Sequence, residues 1–333
     1  MSEASPARVT LADVARAAGV SSPTVSKVIN GRADVAPGTR EHIEQLLRDT
    51  GYRRRTPARN GRADLLDLVF NELESPWAVE IIRGVEEVAR DHRLGVVLSA
   101  QEGPGALGRT WVDAVAARRS VGVILVVSEL SREQIERLRA RSIPFVVVDP
   151  AGEPAPDVPS VGATNWSGGL AATRHLLDLG HTRVGMIGGP PTILCSRARV
   201  DGYRAALETA GLPVDDALIR WGDFHVAGGY EQARALLGLP EPPTAIFAGS
   251  DIQAFGVYRA AHELGVDVPS ELSVIGFDDL PMAHWAWPPL TTIRQPLTEM
   301  GAMATRLVLG QENDLRVELA TSLVERESTA ARG

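Results

Sequence analysis

The residues from 21 to 30 combine short hydroxyl side chains with one cation. Val25, Val28 and Ile29 recur at helical spacing, which predicts the buried side of a short helix. The other side of that helix would then present Ser22, Pro23, Thr24, Ser26, Lys27 and Asn30. A lysine halfway along an exposed helix can donate to guanine in the major groove of DNA, and short hydroxyls let the backbone approach phosphates. This face therefore has the chemistry to read duplex DNA.

Three predicted helices would hold this face in place. Thr10 begins the first helix, with Asp13 three residues later in a capping-box pattern, and Gly19 ends it. Ser21 caps the second helix, and a third helix follows at about residues 37–50. Two short helices about a glycine turn, braced by a third, predict a helix-turn-helix domain. The alternative is a small structural helical bundle.

Net charge is divided unevenly along the chain. The whole chain carries −8, but residues 1–64 carry +4 and the remainder carries −12. Such an asymmetry is typical of a basic DNA-binding domain attached to an acidic body. Residues 53–64 are arginine-rich and lack apolar periodicity, which predicts a solvated linker or, behind a DNA-binding domain, a hinge along the DNA backbone. In the second case its arginines would contact phosphates: Arg53, Arg54, Arg55, Arg59 and Arg62.

From Leu65 onward, short apolar runs alternate with amphipathic helical patterns. The predicted strands lie at 65–70, 95–99, 121–127, 145–148, 184–187, 218–220, 245–248 and 273–276. The predicted helices lie at 77–91, 105–118, 131–141, 196–210, 226–238 and 251–264. This alternation predicts an α/β fold with parallel sheets covered on both faces, and its repetition predicts two similar lobes. Ligands of open α/β sheets bind at the carboxyl ends of the strands, so a cleft between the lobes is the expected binding site.

The predicted helix-turn-helix also resembles a known family. The sequence VTLADVARAAGVSSPTVSKVIN at residues 9–30 is similar to the DNA-binding domain of the LacI/GalR family of bacterial regulators. The resemblance implies base-reading positions for Ser22, Pro23 and Lys27. It implies phosphate contacts for Thr10, Ser21, Thr24, Ser26 and Asn30.

The resemblance extends through the body, with matching motifs at 165–170, 175–181, 196–199, 274–279 and 289–296. It implies a two-lobed fold like that of periplasmic binding proteins, in which the chain crosses between lobes more than once. We therefore expect a helix-turn-helix domain at 1–52, a hinge at 53–64 and an effector-binding and dimerisation body at 65–333. The N-lobe would comprise about 65–179 and 295–318, and the C-lobe about 180–294 and 319–333.

Candidate ligand residues follow from chemistry and resemblance together. A sugar needs paired donors and acceptors for adjacent hydroxyls and a flat apolar face for its ring C–H groups. Arg199 offers a planar fork and Asp278 two acceptor oxygens. The expected ligand residues are Trp77, Asn165, Arg199, Phe224, Ser250 and Asp278, with Asp251 as a further candidate.

Several of these residues have structural alternatives. Arg199 could pair with a surface acid, the two aromatic rings could belong to the core, and Asp279 is expected to serve as a loop or cap residue. Trp285 and Trp287 are expected to pack a loop or a subunit interface rather than a ligand. Cys195, the one cysteine of the chain, is expected to be a packed thiol.

Motifs of other functional classes are missing from the sequence. There is no Gly-x-Ser-x-Gly, no phosphate-binding loop, no Gly-x-Gly-x-x-Gly and no metal-ligand spacing, so neither an enzyme nor a cofactor or metal is expected. No membrane-length apolar run and no signal core occur, so a cytoplasmic location is expected. The expected function is a dimeric transcriptional repressor that binds operator DNA and a sugar-like effector. The alternatives are a solute-binding protein without a DNA role and a DNA binder that needs no ligand.

The hinge departs from the family pattern. Relatives place a short helix with a minor-groove leucine after the tyrosine that corresponds to Tyr52, whereas Arg59-Asn60-Gly61-Arg62 fills that position here. Asn60 and Gly61 disfavour a helix, so we expect a poorly helical hinge and an operator that is bent little.

Overall fold

The computed structural model describes residues 11–29, 35–50, 62–71, 73, 75–100, 111–127 and 129–332. The chain divides into two compact units, one up to Ala58 and one from Arg59 onward. Some of the residues expected to contact DNA lie outside the described residues: Thr10, Asn30, Arg53, Arg54, Arg55 and Arg59.

The described part of the N-terminal unit contains α1 (Leu11–Ala17), α2 (Ser22–Ile29) and α3 (Pro37–Asp49). Gly19 follows α1 with a φ of 67°, a left-handed conformation in which glycine is unstrained. The Ser21 hydroxyl accepts a hydrogen bond from the Thr24 N–H at 3.4 Å and so caps α2. The helices share a small core of Val14, Ala15, Val25, Val28 and Ile43. The three predicted helices are confirmed.

Beyond the N-terminal unit, the described residues alternate strands with helices. The strands are β1 (Leu65–Phe70), β2 (Gly95–Ala100), β3 (Gly122–Val126), β4 (Phe145–Val148), β5 (Ser160–Ala163), β6 (Val184–Gly188), β7 (Ile219–Trp221), β8 (Ala245–Ala248), β9 (Ser273–Asp278), β10 (Thr291–Arg294), β11 (Arg316–Leu319) and β12 (Ser322–Val324). The helices are α4 (Pro76–Asp91), α5 (Trp111–Arg118), α6 (Arg132–Ala140), α7 (Asn165–Asp178), α8 (Leu194–Thr209), α9 (Val226–Leu237), α10 (Asp251–Leu264) and α11 (Leu297–Val308). None of these described helices has both the length and the apolar surface that crossing a bilayer requires.

The strands form two sheets, one in each lobe. The N-lobe sheet has the order β11-β5-β4-β3-β1-β2 and is parallel throughout. The C-lobe sheet has the order β12-β10-β9-β8-β6-β7 and is parallel except for the β10–β12 pair. Helices cover both faces, so the central strands β3 and β8 are buried along their whole length. The predicted α/β class with two parallel-sheet lobes is confirmed.

In the part of the chain that the structure describes, the backbone passes between the lobes at three places. The first passage lies at Thr164, between β5 and α7, and the others lie between β10 and α11 and between β11 and β12. The expected boundary after residue 179 differs from this, because Ala172 and Leu176 of α7 pack with Val184 and Phe277 of the C-lobe sheet. Helix α7 therefore belongs to the C-lobe, although the sequence assigned it to the N-lobe.

Arg62 is bound to the N-lobe at the beginning of the body. Its Nη1 donates to the Val121 carbonyl oxygen at 3.0 Å, and its Nη2 donates to the Ser142 carbonyl oxygen. The neighbouring Ala63 N–H donates to the Arg119 carbonyl oxygen at 2.8 Å. This arrangement does not test the expected phosphate contact of Arg62, because a guanidinium has five N–H donors and the two carbonyls take one on each terminal nitrogen.

Candidate functional site

A cavity of about 250 Å³ lies between the lobes, where the strands of both sheets end. The N-lobe lines it with Phe70, Asn71, Ser75, Trp77, Val126, Val127 and Asp149. The C-lobe lines it with Pro190, Ile193, Cys195, Arg199, Asp223, Phe224, His225, Ser250, Ile252 and Asp278. The structure thus brings together five of the six predicted ligand residues, namely Trp77, Arg199, Phe224, Ser250 and Asp278.

Arg199 is a buried cation at the wall of this cavity, with 3% of its surface exposed. Its Nε donates to Asn165 Oδ1 at 2.9 Å, and its Nη1 donates to the Gly249 carbonyl oxygen. Its Cζ lies 3.8 Å from the centre of the Phe277 ring, and its Nη1 lies 3.7 Å from Asp278 Oδ1. These contacts hold the planar guanidinium in one orientation. The alternative of an ordinary surface ion pair is wrong.

Asp278 ends β9 with its carboxyl group at the cavity. Its φ of 116° is rare for a residue with a side chain, and strained residues of this kind cluster at ligand sites. Gln295 Nε2 donates to Asp278 Oδ1 at 2.6 Å. Burial raises the pKa of Asp278 to about 7, against the lowering effects of the Arg199 charge and the Gln295 hydrogen bond. This carboxyl group therefore changes its charge near neutral pH.

Asp149 is a cavity carboxylate that the sequence analysis missed. It directly follows β4, is 6% exposed and accepts a hydrogen bond from the Cys195 thiol. Burial raises the pKa of Asp149, although the positive charge of Arg199 opposes the shift. Burial, together with Asp149, also raises the pKa of Cys195, so the thiol stays protonated and packed as expected.

Four more polar residues at the cavity were not predicted, namely Asn71, Ser75, Asp223 and His225. Asn71 follows β1, and Asp223 and His225 stand on either side of Phe224 after β7. Their position directly beyond a strand was the available signal, since the carboxyl ends of parallel strands meet at one edge. Among the described residues, no three His, Cys, Asp or Glu side chains are grouped so that they could hold a metal ion.

The two predicted aromatic faces come from opposite lobes. Trp77 lies in the first turn of α4, where the Ser75 hydroxyl accepts a hydrogen bond from the Trp77 N–H at 3.3 Å. Phe224 packs against Gly189, where an added Cβ would lie 2.2 Å from the Phe224 Cζ. Gly189 therefore leaves the space that the Phe224 ring occupies at the cavity.

Ser250 and Asn165 support the cavity in different ways. Ser250 lines it, while its hydroxyl accepts a hydrogen bond from the Gln253 N–H at 3.1 Å and caps α10. Asn165 is not among the lining residues, in contrast to the expectation. It lies behind Arg199, and its Nδ2 donates to the Ala163 carbonyl oxygen at 3.1 Å. Asn165 therefore orients the guanidinium from the first passage between the lobes.

The remaining candidates have structural contacts or face solvent. Asp251 is fully buried and accepts hydrogen bonds from the Thr292 hydroxyl and the Leu280 N–H. Asp279 binds two arginines of the C-lobe, in agreement with a structural role. Trp285 and Trp287 are 78% and 89% exposed, so they do not pack a loop of this chain.

The predicted DNA-reading face lies on α2. Pro23 and Lys27 are exposed on one side, while Val25 and Val28 are buried on the other. Ser22, Thr24 and Ser26 are half-buried, and the Ser21 and Thr24 hydroxyl groups are 2.8 Å apart. The helix thus presents short polar groups and one cation, as a recognition helix requires.

Two regions of the chain match family models. Residues 10–55 match the model described as bacterial regulatory proteins, lacI family, and residues 173–329 match a periplasmic binding protein-like domain. The ribose operon repressor of Escherichia coli (strain K12) is 34% identical over 330 residues, which cover 96% of this chain and 99% of that protein.

Solved structures agree with these matches. The transcriptional regulator CelR in complex with cellobiose is 33% identical, with a TM-score of 0.72 over 96% of this chain and 100% of that chain. The lac repressor dimer bound to operator and the anti-inducer ONPF is 29% identical, with a TM-score of 0.80 over 97% of this chain and 100% of that chain. With a polar recognition helix ahead of a two-lobed, cavity-bearing body, the chain belongs to the lacI family of bacterial regulatory proteins.

Proposed function

We propose that the protein is a dimeric repressor that binds operator DNA and changes its affinity for DNA when a small, sugar-like effector enters the cavity. One observation carries this proposal: the same chain joins a recognition helix to a separate body that encloses Arg199 and Asp278. A solute-binding protein without a DNA role would leave the exposed polar face of α2 unexplained.

The chemistry of the cavity favours a neutral polyol. Arg199 and Asp278 supply a fixed donor fork and acceptor oxygens, and Trp77 and Phe224 supply faces for ring C–H groups. Asp149 and Asp278 place two buried carboxyl groups beside a single guanidinium, which disfavours a phosphorylated ligand. The cavity volume of about 250 Å³ suits a small sugar.

The position of the cavity supports a role in switching. A ligand that touches both lobes binds more tightly when the lobes are closed, and it shifts the protein toward that state by the difference in affinity. In the described chain, the backbone passes between the lobes at Thr164, at Gln295 and at Thr321. These passages would act as hinges between an open and a closed body.

A second copy of the chain would complete the DNA-binding molecule. A two-fold dimer presents two recognition helices to two half-sites, so its operator is pseudo-palindromic. Trp285 and Trp287 are large exposed apolar side chains of the kind that mark protein interfaces. We assign them to the subunit interface, which the sequence analysis offered as one of two alternatives.

Selection from random duplex DNA tests the DNA-binding half of the proposal. The full chain should enrich a pseudo-palindromic sequence. Lys27→Ala should weaken binding to it by about 1–3 kcal/mol and relax the preference at one symmetric base pair. Enrichment of the same sequence by Lys27→Ala, at the same affinity, would show that Lys27 does not read a base.

A panel of sugars tests the ligand half. Fluorescence anisotropy of the selected operator is measured with ribose, cellobiose, other neutral mono- and disaccharides, and their phosphorylated counterparts. A neutral sugar should change operator affinity while its phosphate does not. Lys27→Ala serves as the control, because its body should still bind that sugar in calorimetry. If no sugar in the panel has an effect, the proposed effector class is wrong.

A further inference from the structure

Arg62 lies where the basic segment 53–61 joins the body, and its contacts differ from those of a solvated linker residue. Its side chain is half-buried, and both terminal nitrogens donate to backbone carbonyl oxygens of the N-lobe. The two acceptors, Val121 and Ser142, are far apart in the sequence. One guanidinium therefore joins three separate segments of the N-lobe.

Both acceptor carbonyls belong to turns that connect a helix to a strand. Val121 lies between α5 and β3, and Ser142 lies between α6 and β4. Each turn contains a residue with positive φ, Arg119 at 58° and Ser142 at 53°. The turns are thus tightly wound, and the Arg62 fork spans the space between them. A planar guanidinium can donate to two carbonyls at once, which an ammonium group does less well.

The bridged strands run from Arg62 to the cavity. Strands β1, β3 and β4 begin beside the Arg62 contacts, and Phe70, Val126 and Asp149 at or beyond their far ends line the cavity. A strand of six residues is about 20 Å long. Arg62, near the end of the hinge, and the ligand site therefore lie at opposite ends of the same strands.

We infer that Arg62 is a positioning residue that clamps the start of the body across the turns before β3 and β4, and so fixes where the hinge leaves the N-lobe. Only the expected effect of Arg62 on DNA binding rests on the proposed function; its contacts with the N-lobe do not. The clamp fixes Arg62 and Ala63 beside the first residues of the strands that lead to the cavity. The arginines of residues 53–59 remain the candidates for phosphate contacts.

Three variants of the full chain separate a clamp from a phosphate contact. Arg62→Gln removes the charge and the fork, and Arg62→Lys keeps the charge but loses the fork. Arg59→Gln is the matched control, because it removes one charge from the basic segment. Affinity for the selected operator is measured over a range of salt concentrations. Each lost phosphate contact reduces the slope of log affinity against log salt by about 0.9.

The salt slope should stay unchanged in both Arg62 variants and fall in Arg59→Gln. Hydrogen exchange of the Ala63 and Val121 amides should become about tenfold faster in Arg62→Gln, since a hydrogen-bonded charge is lost. Arg62→Lys should be intermediate or equally fast, and Arg59→Gln unchanged. Exchange of the Val274 amide, in the C-lobe sheet, serves as the internal reference.

Two results would overturn the inference. One is a reduced salt slope in Arg62→Gln that Arg62→Lys restores, which would make Arg62 a phosphate contact. The other is unchanged exchange of the Ala63 and Val121 amides in Arg62→Gln. That result would mean that the Arg62 hydrogen bonds do not stabilise these segments. If the wild-type protein binds no duplex DNA, the proposed function fails, but the exchange measurement still decides whether the clamp exists.

Discussion

The polar face of α2 exposes its charge to solvent, whereas the cavity between the lobes buries its charges. On α2, Lys27 is exposed and only the apolar side of the helix is buried. In the cavity, Arg199 and Asp278 are 3% and 4% exposed. Exposed charges are screened by salt, whereas buried charges are screened little and cost much to leave unpaired. The two regions should therefore respond differently to salt, pH and substitution.

The largest expected difference is the response to salt. A basic hinge that contacts phosphates through six to ten charges per dimer loses about 10³–10⁵-fold in operator affinity between 50 and 200 mM salt. A neutral effector in a buried cavity should bind with nearly constant affinity over this range. Anisotropy with operator and calorimetry with the effective sugar measure the two responses. If operator affinity and effector affinity fell equally with salt, the expected difference between the two regions would be wrong.

The same hinge should bend its operator little, because no apolar side chain replaces the missing leucine. A circular-permutation gel assay measures the bend. A sharply bent operator in that assay would contradict the expected non-helical hinge.

The next largest effect is expected from removing the buried cation. Arg199→Met leaves Asn165 Oδ1 and the Gly249 carbonyl oxygen without their buried donor, so the body should lose about 3–5 kcal/mol of unfolding free energy. The ligand response should be lost while the folded variant still binds operator. Arg204→Met is the matched control on the same helix, since Arg204 is 39% exposed and its ion pairs should contribute less than about 1 kcal/mol. Urea unfolding and anisotropy provide the measurements.

Retention of the ligand response in Arg199→Met would remove Arg199 from the binding site. Loss of operator binding in a variant that remains folded would show that the two regions are not separable in the proposed way.

The third effect is a dependence of stability on pH. Burial raises the pKa of Asp278 from 3.8 to about 7, so the folded protein holds a proton that the unfolded chain releases between these values. The stabilising contribution of Asp278 is fully present below pH 3.8 and is lost as the pH rises through 7. Asp278→Asn cannot titrate. The unfolding free energy of the variant minus that of the wild type should therefore rise with pH across this window.

The slope of that difference is at most about 1.4 kcal/mol per pH unit for one proton. Urea unfolding from pH 4 to 9 measures it. Asp216→Asn is the control, because the Asp216 side chain is 88% exposed and the substitution removes a carboxyl group that does not line the cavity. A flat difference for Asp278→Asn would mean that the folded protein does not hold the proton.

The smallest effect is expected from displacing one aromatic face. In Gly189→Ala the new Cβ would meet the end of the Phe224 side chain, which can rotate away at little cost in stability. Loss of one aromatic face should weaken effector binding by about 1 kcal/mol, roughly fivefold. Gly162→Ala is the control, because an added Cβ meets no atom within 4 Å there. Equal calorimetric affinities for both variants would show that Phe224 does not contact the effector.

Most elements of the fold follow from the sequence, but the lobe to which α7 belongs does not. No element was predicted at Ser160–Ala163, Asn165–Asp178, Thr291–Arg294, Leu297–Val308, Arg316–Leu319 or Ser322–Val324, although family motifs were recognised at 165–170, 175–181 and 289–296. One side of helix α7 is apolar and could pack on the sheet of either lobe. The sequence alone therefore does not assign the helix to a lobe. The contacts of Ala172 and Leu176 decide this, and they also place Asn165 behind Arg199 instead of at the cavity.

By itself, the sequence determined the three helices of the N-terminal unit, the exposed face of α2 and the alternating α/β pattern. These features depend on periodicity, caps and turn residues, which act over a few neighbouring positions. Only the tertiary structure decided that Asp149 and Asp278 flank Arg199 from two lobes, and that Arg62 binds two distant turns. Burial and partner charges set the properties of these groups, and the partners come from strands that lie far apart in the chain.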